Sequence, residues 1–97
     1  MSHSVRSIIL TTLEGDEEFY EQLCGRGLLP NDEDALEADH VELARVTHTL
    51  VRELEVNWPG VEIVLRMRRE IIDTRKQIEV LLNMLQAREI APVREKQ

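Results

Sequence analysis

The side chains with which this chain could do chemistry are two of its three histidines, one cysteine, a row of carboxylates and a cluster of arginines. His40 and His48 stand eight residues apart, and neither has a second good ligand at i±4, while Cys24 falls in a different predicted helix. No metal-binding set converges from that spacing. His40 therefore reads as a surface residue and His48 as a half-buried one. Cys24 lies close to Arg26, which could lower a thiol pKa. It is the only cysteine, however, so no resolving partner exists, and burial as a small hydrophobe is its simpler use. Met67 and Met84 read as packing residues of a long helix. Nothing here assembles a nucleophile, a base and an orienting group, so the expectation is a non-enzymatic protein without a cofactor.

Charge is more informative. The 97 residues carry a formal net charge of −7, and its distribution is uneven. Between Glu14 and Glu42 there are eleven acidic residues and a single arginine, Arg26, a local net of −10. Such a segment attracts a basic protein surface and repels nucleic acid. Glu17, Glu18 and Glu21 on a short helix, with Asp32, Glu33, Asp34 and Glu37 in the following loop, are the expected partner-binding residues, on charge alone. Arg66, Arg68 and Arg69 form the opposite cluster, but Glu62–Arg66, Arg66–Glu70 and Arg69–Asp73 are pairs of opposite sign at i,i+4. That pattern favours a self-neutralised helix face over a phosphate site.

The elements that must position these groups follow from periodicity. The length suits one domain with a thin core, and aromatic residues are only 3%, so aliphatic helix packing must carry the stability. Residues 5–13 are rich in β-branched and apolar types and read as a short strand or extended arm within an N-terminal segment 1–14. Asp16-Glu17-Glu18 opens a helix that turns Phe19, Tyr20 and Leu23 inward, and Gly25-Arg26-Gly27 closes it. After an acidic loop, Asp39 with Glu42 has capping-box spacing and predicts a helix over about 40–55, with Leu43, Val46, Leu50 and Leu54 as its apolar stripe. Asn57-Trp58-Pro59-Gly60 then forces one helix to end and another to begin, because proline tolerates only a first helical turn. Trp58, Pro59 and Gly60 form a structural elbow. The last helix is expected from about Gly60 to about Ile90, with a flexible tail over 91–97. A heptad with Val64, Ile71, Ile78 and Leu85 at a and Met67 and Leu81 at d predicts a dimer interface. Thr74 and Arg88 interrupt the d positions.

Helix, Gly-Leu-Leu-Pro turn, acidic connection, second helix, then Leu54-x-x-Asn57-Trp58-Pro59-Gly60-Val61 and a long last helix form an ordered set. It resembles the chaperone-modulator family typified by CbpM, which has a MerR-like helix-turn-helix fold. The resemblance spans roughly residues 15–88 and is sharpest over Arg52-Glu53-Leu54-Glu55-Val56-Asn57-Trp58-Pro59-Gly60-Val61. The turn Gly25-Arg26-Gly27-Leu28-Leu29-Pro30 is similar to that family's glycine-containing turn. It implies a mostly α, MerR-like winged-helix remnant, with 15–57 as a degenerate helix-turn-helix part and 58–90 as a long C-terminal dimerisation helix. Only Thr11-Thr12-Leu13-Glu14 stands where a first helix would lie, and Asp34-Ala35-Leu36 stands in place of an aromatic wing.

The function implied by the resemblance is a cytoplasmic bacterial adaptor that binds the J-domain of a DnaJ-like, CbpA-type co-chaperone and inhibits it by occupancy. The acidic half of the chain fits a basic J-domain surface independently. A second reading is a MerR-like transcriptional regulator binding DNA as a dimer through Arg45, Arg66, Arg68 and Arg69. A third is a purely structural oligomerisation module. The would-be recognition helix 16–22 offers no lysine or arginine, while phosphate contacts dominate DNA affinity, so nucleic acid is not the expected partner. No segment reads as a signal peptide or a membrane span.

Overall fold

A computed structural model describes residues 4–90, with side chains up to Arg88. The predicted tail 91–97 lies outside the described residues. Four helices, α1 (Val5–Thr12), α2 (Glu17–Gly25), α3 (Ala38–His48) and α4 (Trp58–Ile90), are joined by a 3-10 turn at Glu33–Ala35 and a π-helical turn at Thr49–Glu53. The chain is mostly helical, with no strand among the described residues. Its packing divides into two units, with the break between Val61 and Glu62 inside α4.

The first unit holds the core. Where the sequence predicts a strand or arm, α1 forms instead. Ser4 caps it, its hydroxyl accepting from the Ser7 amide at 3.1 Å. The i,i+4 pair Ile9 and Leu13 is fully buried on one side. One cap and one inward pair outweigh the modest helix penalty of β-branched residues. Of Thr11-Thr12-Leu13-Glu14 only the first two residues are helical, as the last of α1. α2 forms as expected. Asp16 caps it by accepting from the Phe19 amide at 3.1 Å, and Phe19, Tyr20 and Leu23 are buried. It ends in a Schellman arrangement around Gly27 at φ 78°. There the Gly27 amide donates to the Cys24 carbonyl and the Leu28 amide to the Leu23 carbonyl.

α3 starts earlier than predicted. Its N-cap is Glu37, not Asp39, and the Glu37 amide donates to His40 Nδ1 at 2.9 Å. His40 takes the reciprocal place a capping box normally gives to glutamate. Glu42, the expected box partner, pairs with Arg45. The inward side of α3 is also rotated from the predicted stripe, because Ala44 and Thr47 are buried and Leu54 is 63% exposed. Thr47 is satisfied in the interior by the Leu43 and Ala44 carbonyls. α3 does not run to 55. It widens into the π turn, where the Leu54 amide donates to the Thr49 carbonyl, and stops at Glu55, held at φ 55°.

A side chain at left-handed φ costs roughly 1–2 kcal/mol, and glycine returns part of that through its greater unfolded-state freedom. Glu55→Gly is expected to stabilise the protein by up to about 1 kcal/mol, read as a raised urea midpoint at unchanged slope. A lowered midpoint would show that the glutamate side chain holds the turn.

Candidate functional site

α2 sorts its side chains cleanly. Phe19, Tyr20 and Leu23 face the core, and Glu17, Glu18 and Glu21 are exposed. Helical spacing sets this division, since Glu17 and Glu21 are four apart and stack along one stripe. The result is a row of three solvated carboxylates on a helix with no cation of its own. The loop carboxylates are differently employed. Asp32 caps the 3-10 turn, accepting from the Asp34 amide at 3.0 Å, Glu33 pairs with Arg6 at 3.4 Å, and Glu37 caps α3. Asp34 is exposed. Of the seven acidic residues expected to bind a partner, the structure gathers three into one row and gives three others work within the fold.

A second cluster was not among the expected site residues. Asp16, at the start of α2, sits between Arg52 and His48: its Oδ2 accepts from Arg52 Nε at 3.3 Å and lies 3.5 Å from His48 Nε2. Beneath them Phe19, fully buried, meets His48 edge-on at a ring distance of 5.0 Å. It stacks on Trp58 at 5.8 Å. Arg26 covers the Trp58 ring at 4.1 Å, and Arg52 lies 5.2 Å from the Phe19 ring. The elbow residues are thereby explained. Trp58 begins α4 and is anchored to α2 through Phe19, and the Gly60 amide donates to Asn57 Oδ1 at 2.9 Å. A Cβ on Gly60 would come within 2.8 Å of Val56 Cγ1, so the close turn requires glycine there.

The Phe19 amide, with lesser help from Arg52 and His48, holds the Asp16 carboxyl below its ordinary value. Elsewhere burial works the other way. It raises the Tyr20 phenol and the Cys24 thiol, so Cys24, packed against the core, is no activated nucleophile. Among the described residues no group of three or more His, Cys, Asp or Glu side chains is placed to hold a metal, and no helix is long and apolar enough to cross a membrane.

In the second unit the predicted interface residues Met67, Ile71, Ile78, Leu81 and Leu85 are 49–57% exposed, and Val64 is half-buried. None of the three predicted i,i+4 charge pairs of α4 closes to an ion pair among the described residues. No protein-family model, curated protein or solved structure matches this chain.

Because folding lowers the Asp16 pKa, its contribution to stability is complete above the unfolded value near 4 and is lost as pH falls through the folded value. Asp16→Asn keeps the cap acceptor and removes the charge, so it should flatten this acid limb of the stability profile. Asp16→Ala should in addition cost about 0.5–2 kcal/mol at neutral pH through the lost cap. An unchanged acid limb in Asp16→Asn would show that other carboxylates govern it.

Proposed function

We propose that this protein is a non-enzymatic adaptor that binds the basic face of a J-domain in a DnaJ-like, CbpA-type co-chaperone and inhibits it by occupancy. The observation that carries the reading is the exposed row Glu17, Glu18 and Glu21 on α2, backed by the buried Phe19 and Leu23 that fix the helix in place. A rigid row of carboxylates on a structured helix complements a basic helix and speeds encounter with it. The resemblance to the chaperone-modulator family supports the same partner through its ordered turn, elbow and long last helix. A cytoplasmic location goes with this reading.

The alternative of a MerR-like DNA-binding regulator fares worse on the same observation. A duplex would meet three carboxylates at α2, whereas phosphate contacts need cations. Of the arginines assigned to DNA, Arg45 is already engaged by Glu42.

We further propose that the protein is a homodimer paired along α4. Met67, Ile71, Ile78, Leu81 and Leu85 form an apolar stripe open to water, and a contiguous stripe of this size is an association surface. A helix of 33 residues provides about 50 Å of seam.

Calorimetric titration with an isolated J-domain at two salt concentrations tests the adaptor. Binding that weakens with salt is expected. Charge reversal of Glu17, Glu18 and Glu21 to lysine should weaken it by roughly tenfold or more and flatten the salt dependence. Unchanged affinity in that variant removes α2 from the interface, and no binding by the parent protein removes the adaptor reading. Ile71→Glu should convert the protein to monomer in light scattering, and a monomeric parent would refute the dimer.

A further inference from the structure

We infer that Arg26, held on the Trp58 ring at the end of α2, is the cationic contact of the adaptor surface and takes a carboxylate that the partner carries beside its basic face. This rests on the proposed adaptor reading and deepens it, because it adds an acid to what the partner must present.

Arg26 is the exception among the cations of the first unit. That unit, up to Val61, contains four arginines and no lysine. Arg6 pairs with Glu33, Arg45 with Glu42 and Arg52 with Asp16. Arg26 has no ion pair among the described residues, although it is the one cation among the eleven acids between Glu14 and Glu42. Its guanidinium lies instead 4.1 Å from the centre of the Trp58 ring, and Trp58 in turn stacks on the buried Phe19 at 5.8 Å. A guanidinium over a ring face is held in place while its edge of N–H donors stays free. Arg26 is exposed and Trp58 half-buried, so the cation is positioned and still accessible. Arginine and tryptophan are the residues on which interface energy concentrates, and a group fixed in advance loses less freedom on binding.

The chemistry of the ligand follows from charge. The arginine fork matches a carboxylate or a phosphate bidentately. Glu18, Gln22 and Arg26 follow one another at i, i+4 and i+8 and are all exposed, which sets Arg26 about 12 Å along the helix from Glu18. A phosphate-rich strand would bring charges of one sign against Glu17, Glu18 and Glu21 as well. A single carboxylate within a basic surface meets Arg26 while the cations around it meet the glutamates. Such a two-signed pattern fixes the orientation of the partner and excludes partners that are basic throughout.

Calorimetric titration of the whole chain with the isolated J-domain tests this, because the two roles open to Arg26 differ in sign. If α2 attracts a basic partner through net acidity alone, Arg26→Glu tightens binding. With Arg26 on a partner carboxylate, Arg26→Glu and the milder Arg26→Gln both weaken binding, by about ten- to a hundredfold. Arg45→Gln, which removes a cation already engaged by Glu42, leaves the affinity unchanged or raises it. Circular dichroism of each variant separates loss of fold from loss of contact, and Arg26→Gln decides the matter should Arg26→Glu unfold. Unchanged or tighter binding by folded Arg26→Gln makes Arg26 only a clamp on Trp58 and overturns the inference, while the adaptor reading stands. An equal loss in Arg45→Gln overturns the assignment to Arg26, and a parent protein that binds no J-domain overturns both.

Discussion

Phe19 is the side chain through which the first unit is tied together. It is fully buried, and its ring meets His48 from the end of α3 and Trp58 from the start of α4. In a chain with three aromatic residues, two of them are spent on this one stack. The geometry depends in turn on Asp16, which caps α2 three residues before Phe19 and holds Arg52 from the π turn. One carboxylate thus sets where α2 begins and draws the end of the α3 segment toward it. A core this small leaves little redundancy, and the cap, the stack and the ion pair all meet at the start of α2.

Legibility in the sequence followed the range of the interactions. α2 could be read because its signals are local: Asp16 as cap, Phe19 and Leu23 four apart, and Gly27 at the left-handed position. The start of α4 was equally plain, since Pro59 permits few alternatives. α1 was misread because Val5, Ile8 and Ile9 carry strand propensity, while the decisive facts are the Ser4 cap and burial of Ile9 and Leu13 against a core not yet assembled in the sequence. The start of α3 was placed at Asp39 by its spacing to Glu42, whereas the N-cap is Glu37, with the His40 ring accepting from its amide, an arrangement that no usual capping signal announces. The π turn left no mark at all. Its wider hydrogen bonding shifts the inward face, so the stripe extrapolated to Leu54 ends in solvent.

The candidate site divides along the same line. That Glu17, Glu18 and Glu21 lie outside follows from the helical period once Phe19 and Leu23 are inside. The Asp16–His48–Arg52 cluster joins residues up to 36 apart and has no local signature. In the loop, Asp32, Glu33 and Glu37 also have work within the fold, which their charge alone does not reveal. A carboxylate already committed to a cap or an ion pair must lose that interaction before it can greet a partner cation, so it contributes less to an interface than a solvated one. The α2 row has no such commitment in the helix it sits on.

α4 poses the opposite problem to the first unit. From Ile71 to Leu85 its large apolar side chains are half-exposed or more, save Ile72. Protein helices owe most of their stability to packing of an amphipathic face, and propensity alone leaves an isolated helix marginal in water. The second unit has no buried side chain among the described residues, so its helix must be stabilised from outside the unit. In the proposed α4 pairing, association supplies what a core supplies in the first unit, and the order of the helix and the assembly become one equilibrium. The charged stretch 62–76 and the nearly uncharged stretch 77–87 then have different work to do. In that pairing the charges of 62–76 restrict which register is tolerated, while 77–87, with Glu79 its only charged residue, contributes apolar area to be buried.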